Sequence, residues 1–438
     1  MSAKYHIITY GCQMNKNDSE RIASVLERLG MEMTSRPEEA DLILLNTCSV
    51  RQSAEDRVFG KVENFNQLKK TKPNLIIGIT GCMAGRDTRG DLIKKMKGVD
   101  LYFSIKDLPQ LPKLIRRINP DINNSDVPSD YLKIKPKYKR NYQAFITIST
   151  GCDKFCTYCV VPYARGRVRY RPIKDIMAEA RYLCDNGCLE ITLLGQIVNN
   201  YIAPDPENFS KNNPFKENFA ALLWEINQLD GLERVYWTSP HPGYMHEEVI
   251  EAMGLPKQIN YLHLPVQSGS NDVLKRMNRA YTREEYTRVI EKVKKVRPTI
   301  ALGTDIIVGF PGETEAQFEA TLDLYRQIEF DISYNAMYSP RSGTTATKNF
   351  DDDVSHQNKK ERWQKLEKLM RGITDKKNQA YQDKAVDVLV EKYRDNVCQG
   401  HSNEMKLVEF CSPGDLTGTL QSVIIESPKT WILQGKMS

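Results

Sequence analysis

Three cysteines lie close together in the segment TGCDKFCTYC, residues 150–159. Cys152, Cys156 and Cys159 have the spacing C-x3-C-x2-C, and the sequence beside them contains neither a histidine nor a second cysteine pair. A structural zinc ion normally takes four protein ligands, so this set is one ligand short of a zinc site. Three thiolates suit a [4Fe–4S] cluster whose fourth iron is open to another molecule. We therefore predict that these cysteines hold such a cluster.

A second set of three cysteines is widely spread along the chain. Cys12, Cys48 and Cys82 each end a short apolar run, in YHIITYGC, DLILLNTC and NLIIGITGC. If these runs are parallel strands, their carboxyl ends meet at one edge of a sheet, where ligands bind. This topology favours a second three-thiolate site, with buried structural cysteines as the alternative. The other four cysteines are interpreted as small core residues: Cys184, Cys188, Cys398 and Cys411.

The bulk composition is that of a globular protein with two to four domains. The chain has 438 residues and a formal net charge of +6, which is compatible with a polyanionic partner but not diagnostic of one. The longest apolar runs fall far short of the roughly 18–20 residues that span a membrane, and the N-terminus lacks the pattern of a secretory signal. We therefore expect a cytoplasmic protein whose ten cysteines are thiols or metal ligands rather than disulfides.

The elements that must position the cysteines form three groups. Strand and helix patterns alternate over residues 1–112, which predicts a parallel α/β domain. Residues 113–140 are rich in Asn, Asp and Pro and are interpreted as a linker. Six strand candidates with helices between them in residues 141–372 favour a partial TIM-like (β/α)6 barrel, and Cys152 follows its first strand, at the rim where such barrels carry their chemistry. Short strands with glycine turns in residues 373–438 predict a small all-β barrel of the OB type.

Basic residues at two places are candidates for contacts with RNA phosphate. One group ends the predicted linker, in KIKPKYKR, and the other alternates along the chain after the cysteine cluster, so that an extended backbone would line it along one side. A solvated surface is the alternative at both places. The candidates are Lys137, Lys139 and Arg140 in the first group, and Arg165, Arg167, Arg169 and Arg171 in the second.

The C-terminal barrel is a further candidate for nucleic-acid binding. Barrels of the OB type bind single strands through a basic face and stacking aromatic side chains. A role in folding or assembly is the alternative for this domain. The residues that suggest RNA binding are Tyr393, Arg394, His401, Lys406 and Trp431.

The cysteine cluster after a barrel strand resembles the signature of radical S-adenosylmethionine (SAM) enzymes. Over nearly the whole length, the chain resembles the methylthiotransferases of that group, with the blocks GCDKFCTYCVVPYARGR, LHLPVQSGS, VLKRMNRAYT, GTDIIVGFPGETE and YSPRSGT. The blocks NTCSVR and VVPYARGR are most similar to the branch that acts on isopentenylated adenosine in tRNA. The chain departs from the usual family blocks at Ile197, Asn200 and Pro240.

The resemblance implies an enzyme that adds a methylthio group to carbon 2 of N(6)-isopentenyladenosine at position 37 of tRNA, next to the anticodon. It implies two [4Fe–4S] clusters, one on each set of three cysteines, two SAM molecules per turnover, and a C-terminal TRAM domain. It also implies a monomer that receives electrons from a donor such as flavodoxin or ferredoxin. The residues expected to contact SAM are Tyr158, Gln196, Gln267, Gly309, Pro311 and Glu313.

Several alternatives stay open at this point. The same chemistry on threonylcarbamoyladenosine in tRNA, or on an aspartate of a ribosomal protein, is the nearest one. A non-catalytic Fe–S or zinc protein that binds RNA is an alternative from another class. Tyr158 is equally compatible with ordinary packing in its loop, and the segment VGFPGE with a simple turn between strand and helix.

Overall fold

The computed structural model describes residues 2–49, 52–123 and 126–438. In the described part of the N-terminal domain, five parallel strands form a sheet of order β2-β1-β3-β4-β5. Two of the three inner strands, LILLNT and IIGITG, are buried at every residue because helices cover both faces of the sheet. The strands are β1 (Lys4–Thr9), β2 (Glu32–Met33), β3 (Leu42–Thr47), β4 (Ile76–Gly81) and β5 (Leu101–Tyr102). The helices are α1 (Gln13–Arg28), α2 (Gln52–Thr71), α3 (Cys82–Arg86) and α4 (Leu111–Ile118).

The segment interpreted as a linker packs largely on the N-terminal domain. Helix α4 crosses the predicted boundary at residue 112 and buries Leu111 and Ile115 in the same cluster as Tyr131 and Ile134. Its apolar residues are few among Asn, Asp and Pro, so the composition of the segment did not indicate that it packs on a domain. Residues 124 and 125 of the predicted linker lie outside the described residues.

The central domain has the predicted six parallel strands in chain order. They pair as β6-β9-β10 and β11-β12-β13, and a bridge between Val235 and Gln258 joins the two groups. A short antiparallel pair, β7 with β8, follows the first strand. The strands are β6 (Gln143–Thr147), β7 (Ser149–Thr150), β8 (Arg169–Tyr170), β9 (Glu190–Leu194), β10 (Arg234–Trp237), β11 (Tyr261–His263), β12 (Ala301–Val308) and β13 (Ile332–Met337). The partial (β/α)6 barrel is thus confirmed.

Helices cover the outside of this barrel and share one core with its strands. Alternate residues such as Leu262, Leu302 and Ile306 face that core, as the period of two in a strand requires. The helices are α5 (Val161–Arg165), α6 (Ile173–Asp185), α7 (Asn218–Asn227), α8 (Glu247–Ala252), α9 (Asn271–Arg276), α10 (Arg283–Val296), α11 (Glu315–Ile328) and α12 (Thr345–Asn349).

The C-terminal domain is a closed five-stranded barrel of order β14-β15-β16-β18-β17, which confirms the predicted small β-barrel. A long helix, α13 (His356–Gln379), precedes it and packs on β13 and α11, so the boundary predicted at residue 372 falls inside a helix of the central domain. The strands are β14 (Ala385–Arg394), β15 (Val397–Ser402), β16 (Leu407–Cys411), β17 (Leu420–Pro428) and β18 (Leu433–Met437). No helix in the described ranges is long and apolar enough to cross a membrane.

Candidate active site

Cys152, Cys156 and Cys159, here called the barrel triplet, lie in the loop between β7 and α5. Gly151 opens this loop with φ +83°, and a Cβ there would lie 2.0 Å from the carbonyl oxygen of Arg167, so the close approach requires glycine. In the middle of the loop, the backbone N–H of Thr157 donates to the carbonyl of Met277 at 3.1 Å. The loop is therefore fixed on both sides, and all three thiols are half-buried.

The chemistry of this donor set fits an iron–sulfur cluster. Burial raises the pKa of Cys152, and burial together with the neighbouring Cys156 raises that of Cys159 to about 12. Two N–H groups are aimed at the sulfurs: the backbone of Val161 donates to Cys159 Sγ at 3.4 Å, and Arg279 Nη1 donates to Cys156 Sγ at 3.4 Å. Such donors favour the thiolate form that a metal needs.

The arrangement does not suit a single metal ion. Among the described residues, no group of three His, Cys, Asp or Glu side chains could hold one. In a cluster each thiolate binds a different iron, so its sulfurs stand farther apart than the ligands of one ion. The three thiols are therefore compatible with a cluster.

Cys12, Cys48 and Cys82, here called the N-terminal triplet, lie at the carboxyl ends of β1, β3 and β4. A Cβ on Gly11 would lie 3.0 Å from that of Cys48, so the first two strand ends meet closely. Burial raises the pKa of Cys82, while Arg165 beside it acts in the opposite direction and Cys12 adds to the rise. The structure thus brings three residues that are distant in sequence to one edge of the sheet, and their role as ligands stays a prediction.

The two triplets lie on neighbouring parts of the molecule, because α3 packs on α5. A Cβ on Gly85 of α3 would lie 2.2 Å from the carbonyl oxygen of Ala164 in α5. Helix α3 begins at Cys82, and α5 begins two residues after Cys159. The edge of the N-terminal sheet therefore faces the mouth of the barrel.

The loop after β13 also reaches the N-terminal triplet. Burial lowers the pKa of Arg341, and Glu55 and Cys48 beside it act in the opposite direction. Next to it, Arg86 Nη1 donates to the carbonyl of Ser342 at 3.3 Å. The block YSPRSGT thus belongs to the contact between the two domains. Val50 and Arg51 of the block NTCSVR lie outside the described residues.

Two glutamines stand at strand ends where SAM is expected. Gln196 follows β9, and its Oε1 is buried with no hydrogen-bond partner in the described part of the chain. A buried acceptor left unpaired is costly, so this oxygen is suited to a ligand that donates to it. Gln267 has φ +71°, and its backbone pairs with Asp305 and Ile307 of β12 at 2.9 and 3.0 Å.

The turn VGFPGE is closed by its own residues. The N–H of Gly309 donates to Glu313 Oε2 at 2.6 Å, and Arg362 Nη1 lies 3.0 Å from the same oxygen. A Cβ on Gly309 would lie 2.3 Å from Cγ of Lys359, so the close neighbour in this structure is α13. These contacts favour the structural interpretation of the turn. Contact of SAM with Gly309, Glu313 and the buried Pro311 stays a prediction.

Tyr158 has apolar neighbours rather than an open position. It packs against a small cluster that includes Met277, Phe310 and Tyr338. Burial raises its pKa well above the usual range. The loop-packing alternative thus describes its observed contacts, and a stacking role on SAM stays a prediction.

The prediction that Arg165 contacts RNA phosphate is wrong. Its side chain is buried and pairs with Asp18 of α1, with 2.6 Å between Nη2 and Oδ2. Arg171 is also buried and pairs with Glu179. Arg165 ends helix α5, so the extended backbone that would align these arginines starts only after it.

The other basic candidates differ in their exposure to solvent and in their ion pairs. Arg167 and Arg169 are exposed and form ion pairs with Asp153 and Asp130. Arg140 is half-buried over the ring of Tyr142 and pairs with Glu391 of the C-terminal barrel at 3.5 Å. Arg140 therefore links two domains, and its guanidinium is already engaged by contacts within the protein. Lys137 and Lys139 are exposed, and the first of them pairs with Glu27.

Two residues near the barrel triplet were not found from the sequence. Arg279 lies in the block VLKRMNRAYT, which supported the family resemblance but did not indicate a role for this arginine. His241 follows β10 and is 3% exposed, and burial lowers its pKa to about 2. Its Nδ1 accepts from the N–H of Gly243 at 3.1 Å, so the neutral ring carries its proton on Nε2, which is buried without a hydrogen-bond partner among the described residues.

Comparison with known proteins agrees with this division of the chain. Residues 4–104 match the uncharacterized protein family UPF0004, and residues 146–325 match the radical SAM superfamily. The chain is 42% identical over 448 residues to the tRNA-2-methylthio-N(6)-dimethylallyladenosine synthase of Geobacillus thermodenitrificans, which covers 99% of this chain and 83% of that protein. The protein of the same name from Thermoanaerobacter sp. is 41% identical, covering 99% and 92%.

The chain belongs to the tRNA-2-methylthio-N(6)-dimethylallyladenosine synthase family. The radical SAM superfamily implies SAM and a [4Fe–4S] cluster as its cofactors. Among solved structures, the radical SAM methyltransferase TsrM from Kitasatospora setae, which has cobalamin and a [4Fe–4S] cluster bound, is similar with a TM-score of 0.54. At 14% identity, over 77% of this chain and 75% of that one, this likeness concerns the fold alone.

Proposed function

We propose that this member of the family is a tRNA methylthiotransferase. It adds a methylthio group to carbon 2 of N(6)-isopentenyladenosine at position 37, with two [4Fe–4S] clusters and two SAM molecules per turnover. The observation that carries the proposal is the packing of α3 on α5, which puts two cysteine triplets from different domains on facing parts of the molecule. The names of relatives that are 41–42% identical support the substrate.

The residues of this chain have distinct parts in the proposal. The barrel triplet would hold the cluster that binds SAM, and the N-terminal triplet would hold the second one. When bound, SAM and the reduced cluster supply the one-electron chemistry that an unreactive aromatic C–H requires. Gln196 offers its unpaired Oε1 to a donor on SAM. His241 stays neutral in its buried position and offers only an N–H on Nε2.

The proposed RNA interface is narrower than the sequence indicated. Lys406 is buried and pairs with Asp331, and His401 pairs with Glu391, so both serve contacts within the protein. Arg394 is exposed, and Trp431 is 46% exposed. We propose that exposed residues of this kind, together with Arg167 and Arg169, contact the anticodon loop, because aromatic and basic side chains bind single-stranded RNA. An electron donor of the flavodoxin or ferredoxin type, a monomeric state and a cytoplasmic location stay predictions.

An anaerobic assay with unmodified and isopentenylated tRNA side by side tests the proposal. Mass spectrometry of the nucleosides should find the methylthio product only with isopentenylated tRNA. Cys152→Ala should abolish both SAM cleavage and product, whereas Cys48→Ala should abolish product and leave most SAM cleavage. Cys184→Ala is the matched control, because this half-buried cysteine at the end of α6 belongs to neither triplet. Product from Cys48→Ala, or SAM cleavage by Cys152→Ala, contradicts the roles proposed here.

Metal analysis separates the proposal from its rival of another class. Two four-iron clusters predict about eight irons per chain after anaerobic reconstitution. A zinc or non-catalytic RNA-binding protein predicts about one metal ion and no SAM cleavage. Product on threonylcarbamoyladenosine, with none on the isopentenylated tRNA, is the result that would replace the proposed substrate.

A further inference from the structure

The guanidinium of Arg279 touches a cysteine of the barrel triplet. Arg279 stands in the turn between α9 and α10, 123 residues along the chain from Cys156, and its Nη1 lies 3.4 Å from Cys156 Sγ. A hydrogen bond to sulfur is long by nature, so this distance is within bonding range. The contact is therefore made by folding and not by neighbouring sequence.

The other edges of this guanidinium are held by fixed partners. Nε donates to the hydroxyl of Tyr281 at 3.0 Å, and Nη2 donates to the carbonyl of Pro265 at 3.3 Å. The Tyr281 hydroxyl in turn lies 2.9 Å from the carbonyl of Val266, and its ring lies under the Arg279 guanidinium at 5.1 Å. Because the arginine fork is planar and rigid, anchoring two of its nitrogens fixes the direction of the third.

Arg279 forms no ion pair with a carboxylate of the described residues. In the described ranges, its hydrogen bonds go to one hydroxyl, one carbonyl and one sulfur, and none goes to Asp or Glu. This distinguishes it from Arg165, whose charge is paired with Asp18. Its positive charge therefore remains available to whatever the barrel triplet binds.

We propose that Arg279 raises the reduction potential of the cluster on the barrel triplet. The proposal rests on the proposed function, since it requires a cluster at these three cysteines. Adding an electron makes a cluster more negative, and a nearby positive charge with an N–H aimed at a ligand sulfur stabilises the reduced form. Tyr281 supports this by holding the guanidinium in place.

The test is a redox titration, which does not depend on turnover. The parent is the full chain with the N-terminal triplet replaced by alanine, so that one cluster remains, titrated without SAM and followed by electron paramagnetic resonance. Arg279→Gln should lower the ratio of reduced to oxidised cluster about tenfold at a fixed ambient potential, or about 59 mV for a one-electron couple. Tyr281→Phe should give a smaller shift in the same direction. Arg283→Gln is the control, because this arginine of α10 donates to Ala320 of α11 and not to a cysteine.

Iron content distinguishes the possible outcomes. A parent that takes up no cluster overturns the proposed function and the role of Arg279 with it. A cluster that forms with the same potential in the parent and in Arg279→Gln overturns only the role of Arg279. Where Arg279→Gln fails to take up iron, Tyr281→Phe decides: it removes the hydroxyl that holds Nε of Arg279, and a potential equal to that of the parent there also overturns the inference.

Discussion

Replacing Asp18 by asparagine should strongly destabilise the contact between the N-terminal domain and the barrel. The Asp18 side chain is fully buried and that of Arg165 is 3% exposed, so water screens neither charge. Asp18 also accepts a hydrogen bond from the hydroxyl of Tyr131. Asparagine has nearly the same shape, so the change removes the negative charge and leaves the guanidinium buried without its ionic partner.

The size of the effect follows from that burial. Breaking a buried pair by removing one partner typically costs about 3–5 kcal/mol, because the remaining charge stays uncompensated. Removing both charges, in Asp18→Asn with Arg165→Met, should therefore cost less than the sum of the two single changes. Asp323→Asn is the matched control, because Asp323 pairs with Arg326 at the surface and both are about half exposed. Exposed pairs contribute little, so this variant should unfold almost like the parent.

Urea unfolding followed by far-ultraviolet circular dichroism measures these differences. A loss below about 1 kcal/mol for Asp18→Asn would refute the argument, since it would mean that water or a side-chain shift satisfies Arg165. Additive single changes in the double variant would contradict the coupling. Because Arg165 also lies beside Cys82, the same variants report whether the buried pair is needed for iron uptake at the N-terminal triplet.

Three further predictions concern packing, pH and domain contact. Gly85→Ala should lower the free energy of urea unfolding by about 1–3 kcal/mol, because its Cβ would meet the backbone of α5. Gly60→Ala in α2, where a Cβ would have nothing within 4 Å, should raise that free energy by about 0.5–1 kcal/mol. Equal effects of the two changes would contradict the close contact. His241 has a folded-state pKa of about 2, so it binds its second proton only in the unfolded chain. The free energy of unfolding should therefore fall as the pH drops below about 6.5, by about 1.5 kcal/mol down to pH 5. His241→Asn should flatten that part of the pH profile of urea unfolding. Arg234 donates to the carbonyls of His401 and Ser402 at 3.0 and 2.8 Å, so Arg234→Met should speed hydrogen exchange in β14 and β15, and unchanged exchange would show that other contacts hold the C-terminal barrel.

The sequence by itself determined the strands that precede the cysteines and where the cysteines stand on them. Each of the runs before Cys12, Cys48 and Cys82 is short and apolar, and the cysteine follows directly, so its place at a strand end is a local fact. The same holds for the barrel triplet after β6 and β7. The two-residue edge strands β2 and β5 carried too little pattern to be predicted, because their hydrogen bonds depend on the neighbouring strand and not on their own residues.

Only the tertiary structure decided what the charged residues do. Residues 15–21 of α1 are strongly polar, yet Asn17, Asp18 and Arg21 are fully buried where the helix meets the barrel and the segment before the barrel. Arg165 and Arg279 look alike in sequence, but one pairs with Asp18 and the other is aimed at Cys156. In a sequence, a charged side chain is equally compatible with water, a carboxylate or a ligand as its partner. The partners of these two arginines lie more than a hundred residues away in the chain. Periodicity identifies the face of an element, whereas the opposing surface exists only once the domains have packed.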